Sequence, residues 1–307
     1  MLDSPLTIAL GNYGITQPLK QGEVDLGRLR LNFAAVEPIT AGMRAMVRSL
    51  DFDICEMAFT TYLCARDLGV PITAIPVFVT RNFHHWAAFK TQRSGIKSPK
   101  DLEGRRVAIN RGYTVTTGLW IRGILQTEYG VDLGKITWVP TDEEHVAQYA
   151  YPANVDLSRR GKAISELLLH GDCDAAIGDV KSDSAEITPL IANARQAGFD
   201  YFHRTGIYPV NHAVVVRNAV LEAHPWVAAE LMAAFTRARG IYYDRLASGA
   251  ATAPLDKAAI EVRNALGIEP FPFGIDANRV SLEAVATFAA EQSITRRRKT
   301  VAEMFSA

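Results

Sequence analysis

The stretch VTRNFHHWAAF, residues 79–89, gathers Arg81, His84 and His85 within five positions among Phe83, Trp86 and Phe89. A guanidinium grips a carboxylate through two parallel hydrogen bonds, and an imidazole exchanges protons near neutral pH. Together they suit an anionic aromatic ligand, although a solvated strand end carries the same residue types. A second group, RTGIYPVNHAVVV at 204–216, sets Tyr208, Asn211 and His212 around a Pro209-Val210-Asn211 bend that can aim them to one side. A lone histidine at a strand start is more often a satisfied structural residue, and it is the pairing of the two segments that raises the functional reading. Glu56 stands alone among apolar residues in FDICEMAF, 52–59. A carboxylate there needs a partner or a raised pKa, so it reads as a proton carrier or as an ion-pair partner of Arg81.

NRGYTVTTGLW, 110–120, follows an apolar strand and opens a helix. Backbone amides at a helix start carry partial positive charge, and the hydroxyls of Thr114, Thr116 and Thr117 add donors, so a carboxylate or phosphate can sit there, flanked by Tyr113 and Trp120. The plainer reading is that one threonine caps the helix. No lysine follows Gly118, which excludes a Walker phosphate loop. Asn12 and Tyr13 in GNYGIT and Asp179 in GDCDAAIGD lie at the carboxyl ends of strands, where α/β proteins place ligand contacts.

The elements that must position these residues alternate along the chain. LTIAL (6–10), LRLNFAAV (29–36), FDICEMAF (52–59) and ITAIPVFV (72–79) read as strands, and 40–50 and 60–68 as helices. RVAIN (106–110), a helix at 116–129, ITWV (136–139), a helix at 157–170 and CDAAIG (173–178) repeat that grammar. HAVVVR (212–217) is one more strand, and 224–247 a helix with Pro225 in its first turn, the rest being mostly helical. The expected architecture is α/β, with two domains, each a mainly parallel sheet flanked by helices and a ligand cleft between them. The expected first domain is 1–85 plus 215–307, and the second 86–214.

With 33 basic and 33 acidic residues in 307, no net field draws in nucleic acid or an acidic membrane. The Arg296–Lys299 cluster reads as a solvated helix end. Cys55, Cys64 and Cys173 form no C-x-x-C pair and sit in apolar segments, as buried thiols do in a reducing compartment. MLDSPLTIAL lacks the basic start of a secretion signal, so a cytoplasmic location is expected, without a membrane anchor. The histidines and Glu56 show no H-x₃-H spacing, and no metal is expected. Self-association into a homo-oligomer is compatible with the sequence.

GNY (11–13), RNFHH (81–85), SPKDLEGRRVAI (98–109), GLWIRGIL (118–125), EYGV (128–131), GDCDAAI (171–177), RTGIYPVNHAVVVR (204–217) and HPW (224–226) resemble, in order, the 4,5-dihydroxyphthalate decarboxylase family. The resemblance implies the type II periplasmic-binding-protein fold and cofactor-independent decarboxylation of a hydroxylated aromatic carboxylate. The same fold also serves capture of a small carboxylate without chemistry. Two presumed pocket positions depart from the family: His84 stands where arginine is usual, and Val210-Asn211 where Ile-Met is. An imidazole lacks the fork that suits a second carboxylate. Decarboxylation needs a cation for a spectator carboxylate, a base for the phenol and an acid for the ring carbon. Arg81 with Thr114–Thr117 suits the first, His212 or Glu56 the second, and His85 or His84 the third.

Overall fold

The computed structural model describes residues 4–306; Met1–Asp3, with the acidic residue of the N-terminal stretch, and Ala307 lie outside the described residues. The strands are β1 (Leu6–Ala9), β2 (Leu31–Phe33), β3 (Ile54–Ala58), β4 (Ile72–Arg81), β5 (Ala88–Thr91), β6 (Arg106–Ile109), β7 (Thr137–Pro140), β8 (Ala175–Ile177), β9 (Ile187–Pro189) and β10 (Val210–Arg217). The chain divides into two compact units. The first takes the chain up to Arg81, Val210–Leu282 and the end from Lys299; the second takes Asn82–Pro209 and Glu283–Arg298.

In the first unit the sheet order is β2-β1-β3-β10-β4, and in the second β7-β6-β8-β5-β9. Both sheets are mixed, a point on which an apolar pattern, blind to strand direction, is silent. β1 runs parallel to β2 and β3, and β6 to β7 and β8. The strand that follows each crossing of the chain, β10 or β5, runs against both of its neighbours. β3 is buried at every position because helices cover it, Ile39–Ser49 and Phe59–Asp67 among them. The helix Val227–Ala247 lays Val227, Leu231, Ala234, Phe235 and Ala238 into the same core as Ile8, Ile54, Val77 and Val214. In the second unit Ala108, Val139 and Ala176 of the sheet meet Ile164, Leu167 and Leu168 of the helix Ile164–His170.

Several elements differ from the sequence reading. The helix expected at 157–170 is confined to Ile164–His170. Ahead of it Asp156 bonds the Ser158 amide, and Gly161, at φ +80, turns its amide to the Thr141 carbonyl. The helix expected at 224–247 runs Val227–Ala247, with Pro225 ahead of the Trp226 N-cap rather than inside the first turn, and a short helix, Asn218–Ala223, precedes it. β10 starts at Val210, so Asn211 and His212 lie inside a strand whose register against β4 slips at these residues, not on a free bend. The strands β5 and β9 and the helix Ala194–Thr205 are additional. Residues 283–298, grouped by sequence with the first domain, pack in the second unit: Phe288 meets Trp120 edge-on at 5.8 Å, and Gln292 Oε1 accepts from Arg122 Nε at 2.8 Å. Cys55, Cys64 and Cys173 are buried free thiols. No described helix is long and apolar enough to cross a membrane.

Candidate functional site

In the first unit, Glu56 on β3 is fully buried, facing Val214 in register on β10, with His212 opposite Ala58. Residues two apart on a strand share a face, and a diagonal cross-strand neighbour lies within reach of a long side chain. His212 Nδ1 accordingly lies 2.6 Å from Glu56 Oε1. The same oxygen accepts the Tyr13 hydroxyl at 2.9 Å, and Oε2 accepts the Gly11 amide at 2.7 Å. With Nδ1–H given to the carboxylate, the other ring nitrogen of His212 is left for a ligand, and the imidazole keeps 22% side-chain exposure against none for Glu56.

The turn after β1 delivers Tyr13. Its ring lies on the Gly11 α-carbon so closely that a β-carbon there would stand 2.4 Å from the phenol Cζ. Buried Thr16 pins the turn: its Oγ1 accepts the Tyr13 amide at 3.0 Å and donates to the Gly11 carbonyl at 2.8 Å. Burial first, then the charge of Glu56 and the bond to it, hold the Tyr13 phenol protonated far above the ordinary range. Burial and the same carboxylate push the Cys55 thiol up as well. Asn12 is exposed on this turn.

Arg81 ends β4, 8% exposed, and donates from Nη1 to Asn278 Oδ1 at 2.5 Å. Asn278 is itself fixed through Nδ2 to the carbonyls of Pro272 and Gly274. Of the two readings of Glu56, proton carrier or partner of Arg81, the pairing is not found: Glu56 is held by Gly11, Tyr13 and His212.

In the second unit His84 and His85 are both buried, at 1% exposure. His85 turns its ring edge to Tyr201, centroids 5.4 Å apart. Burial first, then the charge of Arg204, lower its pKa to about 4, so the imidazole is neutral near pH 7. Phe83 packs on Tyr208 at 5.0 Å and on Phe199 at 5.7 Å, which makes Phe83 and Tyr208 part of an aromatic core. Trp120 is fully buried against Phe288, and Asp179 is exposed with its carbonyl taken by Asn110 Nδ2 at 2.9 Å. Asn211 is half-buried beside His212.

The turn before the helix Thr116–Tyr129 holds a carboxylate, and it is the chain's own. Glu144, 5% exposed, accepts the Tyr113 amide at 2.5 Å on one oxygen, and the Thr114 amide at 3.1 Å and hydroxyl at 2.5 Å on the other. A β-carbon on Gly112 would stand 2.6 Å from this group, so the turn requires glycine there. Arg122 lies beneath: fully buried, it donates Nη2 to the Tyr113 carbonyl at 2.8 Å and stacks 4.0 Å over the Tyr113 ring. Thr116 is buried and Thr117 half-buried one residue further on. Neither Glu144 nor Arg122 was legible as a site residue; the one clue to Glu144 is the acidic run TDEEH (141–145) directly after β7. Among the described residues no group of three or more His, Cys, Asp or Glu is placed to hold a metal ion.

Three comparisons bear on this arrangement. The family model described as NMT1/THI5-like matches residues 31–244. The 4,5-dihydroxyphthalate decarboxylase of Comamonas testosteroni is 30% identical over 98% of this chain and 96% of that protein, and that of Pseudomonas putida 32% identical over 56% of this chain and 69% of that one. The alkanesulfonate-binding protein SsuA of Xanthomonas axonopodis pv. citri superposes with a TM-score of 0.55 over 98% of this chain and 97% of that one at 16% identity, which makes the fold that of the periplasmic binding proteins. By its near full-length match and its family model, the chain belongs to the NMT1/THI5-like family and to the family of the 4,5-dihydroxyphthalate decarboxylases.

Proposed function

We propose that the protein removes one carboxylate, as carbon dioxide, from a hydroxylated aromatic acid of the dihydroxyphthalate type, without a cofactor. The observation that carries this reading is the buried Glu56 carboxylate 2.6 Å from His212 Nδ1. A carboxylate behind an imidazole fixes its orientation and stabilises its protonated form, which suits His212 to deliver a proton to the ring carbon that bears the departing group. The ring hydroxyl pushes electrons towards that carbon as the proton arrives from the outer nitrogen of His212. The bond to the carboxylate then breaks, its electron pair returns to the ring, carbon dioxide leaves, and His212 regains its proton from solvent. Tyr13, kept protonated, supports the charge on Glu56 and leaves the imidazole as the mobile acid.

The other roles follow from chemistry. His85, neutral near pH 7, is unsuited to standing as the acid, so proton delivery is assigned to His212 in its place. Arg81, a buried guanidinium at the end of β4, suits the spectator carboxylate, and Asn211, next to His212 on β10, suits a ring substituent. The test is to supply 4,5-dihydroxyphthalate to the purified protein in heavy water. Release of one equivalent of carbon dioxide with one deuteron on the ring is the expected result. Binding with neither product would leave capture without chemistry, which the same fold also serves.

A further inference from the structure

Thr16 stands at the N-cap of the short helix Gln17–Lys20, yet its hydroxyl does not cap that helix. A threonine in that place ordinarily accepts from the first helical turn. Fully buried, this one turns back instead: Oγ1 accepts the Tyr13 amide at 3.0 Å and donates to the Gly11 carbonyl at 2.8 Å, with the Tyr13 carbonyl at 3.1 Å. At the end of the same helix Lys20 extends Nζ to the Leu10 carbonyl at 3.2 Å. The two peptide groups that flank Gly11 are thus each held at the carbonyl, one by Lys20 and the other by Thr16.

That grip acts on two of the three donors to Glu56. A peptide group is planar and trans, so a carbonyl fixed on one side aims its amide to the other. The Leu10 carbonyl and the Gly11 amide belong to one such group, and that amide bonds Glu56 Oε2 at 2.7 Å. A donor on the carbonyl also polarises the amide and strengthens the bond it gives. Tyr13, whose amide Thr16 accepts, sends its hydroxyl to Oε1. Gly11 itself, without a side chain, offers little resistance to a swing of either peptide group. Glu56 is fully buried, so its charge survives on its hydrogen bonds. Were the turn to move away, the carboxylate would keep only His212. It would then take the Nδ1 proton of the charged ring onto Oε1, and the ring would become neutral, a poorer acid.

We propose that Thr16 and Lys20 are positioning residues, whose clamp on the Gly11 peptides keeps the charge on Glu56 and the Nδ1 proton on His212. That hold on the pair stands by itself; its part in turnover rests on the decarboxylase reading.

The test follows the His212 Nδ1–H proton by NMR of the ¹⁵N-labelled full-length protein, where a bond to a carboxylate moves it downfield, beside carbon dioxide release from 4,5-dihydroxyphthalate. Thr16→Val keeps the shape and removes the hydroxyl: the signal should shift or be lost to solvent exchange, and kcat should fall about tenfold with KM changed by less than about twofold. Thr16→Ser restores the hydroxyl, so the signal should return and kcat recover to within about threefold of the parent. Lys20→Met keeps the length and removes the ammonium; it should move the same signal and lower kcat about two- to fivefold. Lys20 is only half-buried, so this variant folds and carries the test even where Thr16→Val does not. An unchanged signal and kcat in folded Thr16→Val or in Lys20→Met, a loss through KM alone, or a serine variant no better than the valine one overturns the clamp. A signal that moves with both variants in a protein that releases no carbon dioxide upholds the clamp and sinks the decarboxylase reading; carbon dioxide release with signal and kcat blind to both variants does the reverse.

Discussion

The two units are built on one plan and carry different chemistry. Each sheet has two parallel strands flanking a third, then a reversed strand, then an edge strand, in the orders β2-β1-β3-β10-β4 and β7-β6-β8-β5-β9. In the first unit the reversed strand, β10, brings an imidazole to a carboxylate on its neighbour β3, His212 to Glu56. The reversed strand of the second, β5, brings only Ala88, Phe89 and Lys90 to Ile177, Ala176 and Ala175. There the buried carboxylate, Glu144, comes from the irregular segment after β7 and is bonded by backbone amides and a hydroxyl. Sheet order alone therefore does not set function: a carboxylate facing a titratable ring is placed to move protons, whereas one facing amides is placed to hold a shape.

That contrast breaks first at Glu56. Glu56→Gln keeps the size and removes the charge behind His212, and turnover should fall by about 10²–10⁴-fold with a much smaller change in binding, as measured by steady-state kinetics and ligand titration. Equal losses in both would make Glu56 a scaffold residue like its counterpart. The second test is pH. His85 has a folded pKa of about 4 against an ordinary 6.5, so the unfolded chain binds the extra proton first; its contribution is fully present above pH 6.5 and is lost as pH falls towards 4, up to about 3 kcal/mol. The carboxylates drawn down by hydrogen bonds and cations, Glu103 and Asp156, both to about 2, lose their contribution at lower pH, so denaturant midpoints between pH 6.5 and 4 isolate His85, and His85→Gln should flatten that stretch.

Glu144→Gln sharpens the comparison from the other side. An amide NH₂ must face the donors of Tyr113 or Thr114, which should lower the midpoint of chemical unfolding by the equivalent of about 1–3 kcal/mol. The smallest effect is expected at Gly11→Ala, where the new methyl displaces the Tyr13 ring from Glu56 and slows turnover by roughly tenfold, about 1.4 kcal/mol, with the fold intact by circular dichroism.

How much of this was legible in the sequence depended on the range of the interaction. The helix at 116–129 and the cores of β1, β3, β4 and β6 are written in local apolar periodicity. β5 and β9 are three or four residues long and half-exposed in places, so they leave no run to detect. Glu56 was legible because a carboxylate inside a fully buried strand must be satisfied. Its partner was not, because register decides it, and the register puts His212 beside it while Arg81 takes Asn278. Trp120, Phe83 and Tyr208 looked like ligand contacts through their proximity to threonines and histidines, yet the helices that bury them lie far along the chain, with Phe288 on Trp120 and Phe199 on Phe83. The bond between Arg122 and Gln292 spans 170 residues, beyond any local pattern.

The return of Glu283–Arg298 to the second unit bears on how the molecule is made. During synthesis from the N-terminus the residues from Asn82 to Pro209 emerge long before Gln292, which supplies the acceptor for Arg122 Nε and, through its own backbone carbonyl, that for the Tyr113 hydroxyl. Until then Arg122, fully buried in the finished fold, lacks that acceptor, and closing the interior around it leaves a cation unmet. A nascent chain stalled before that segment should thus be protease-sensitive in the second unit, and a separate peptide of 283–298 added to a protein truncated at 282 should restore protection, as in fragment complementation.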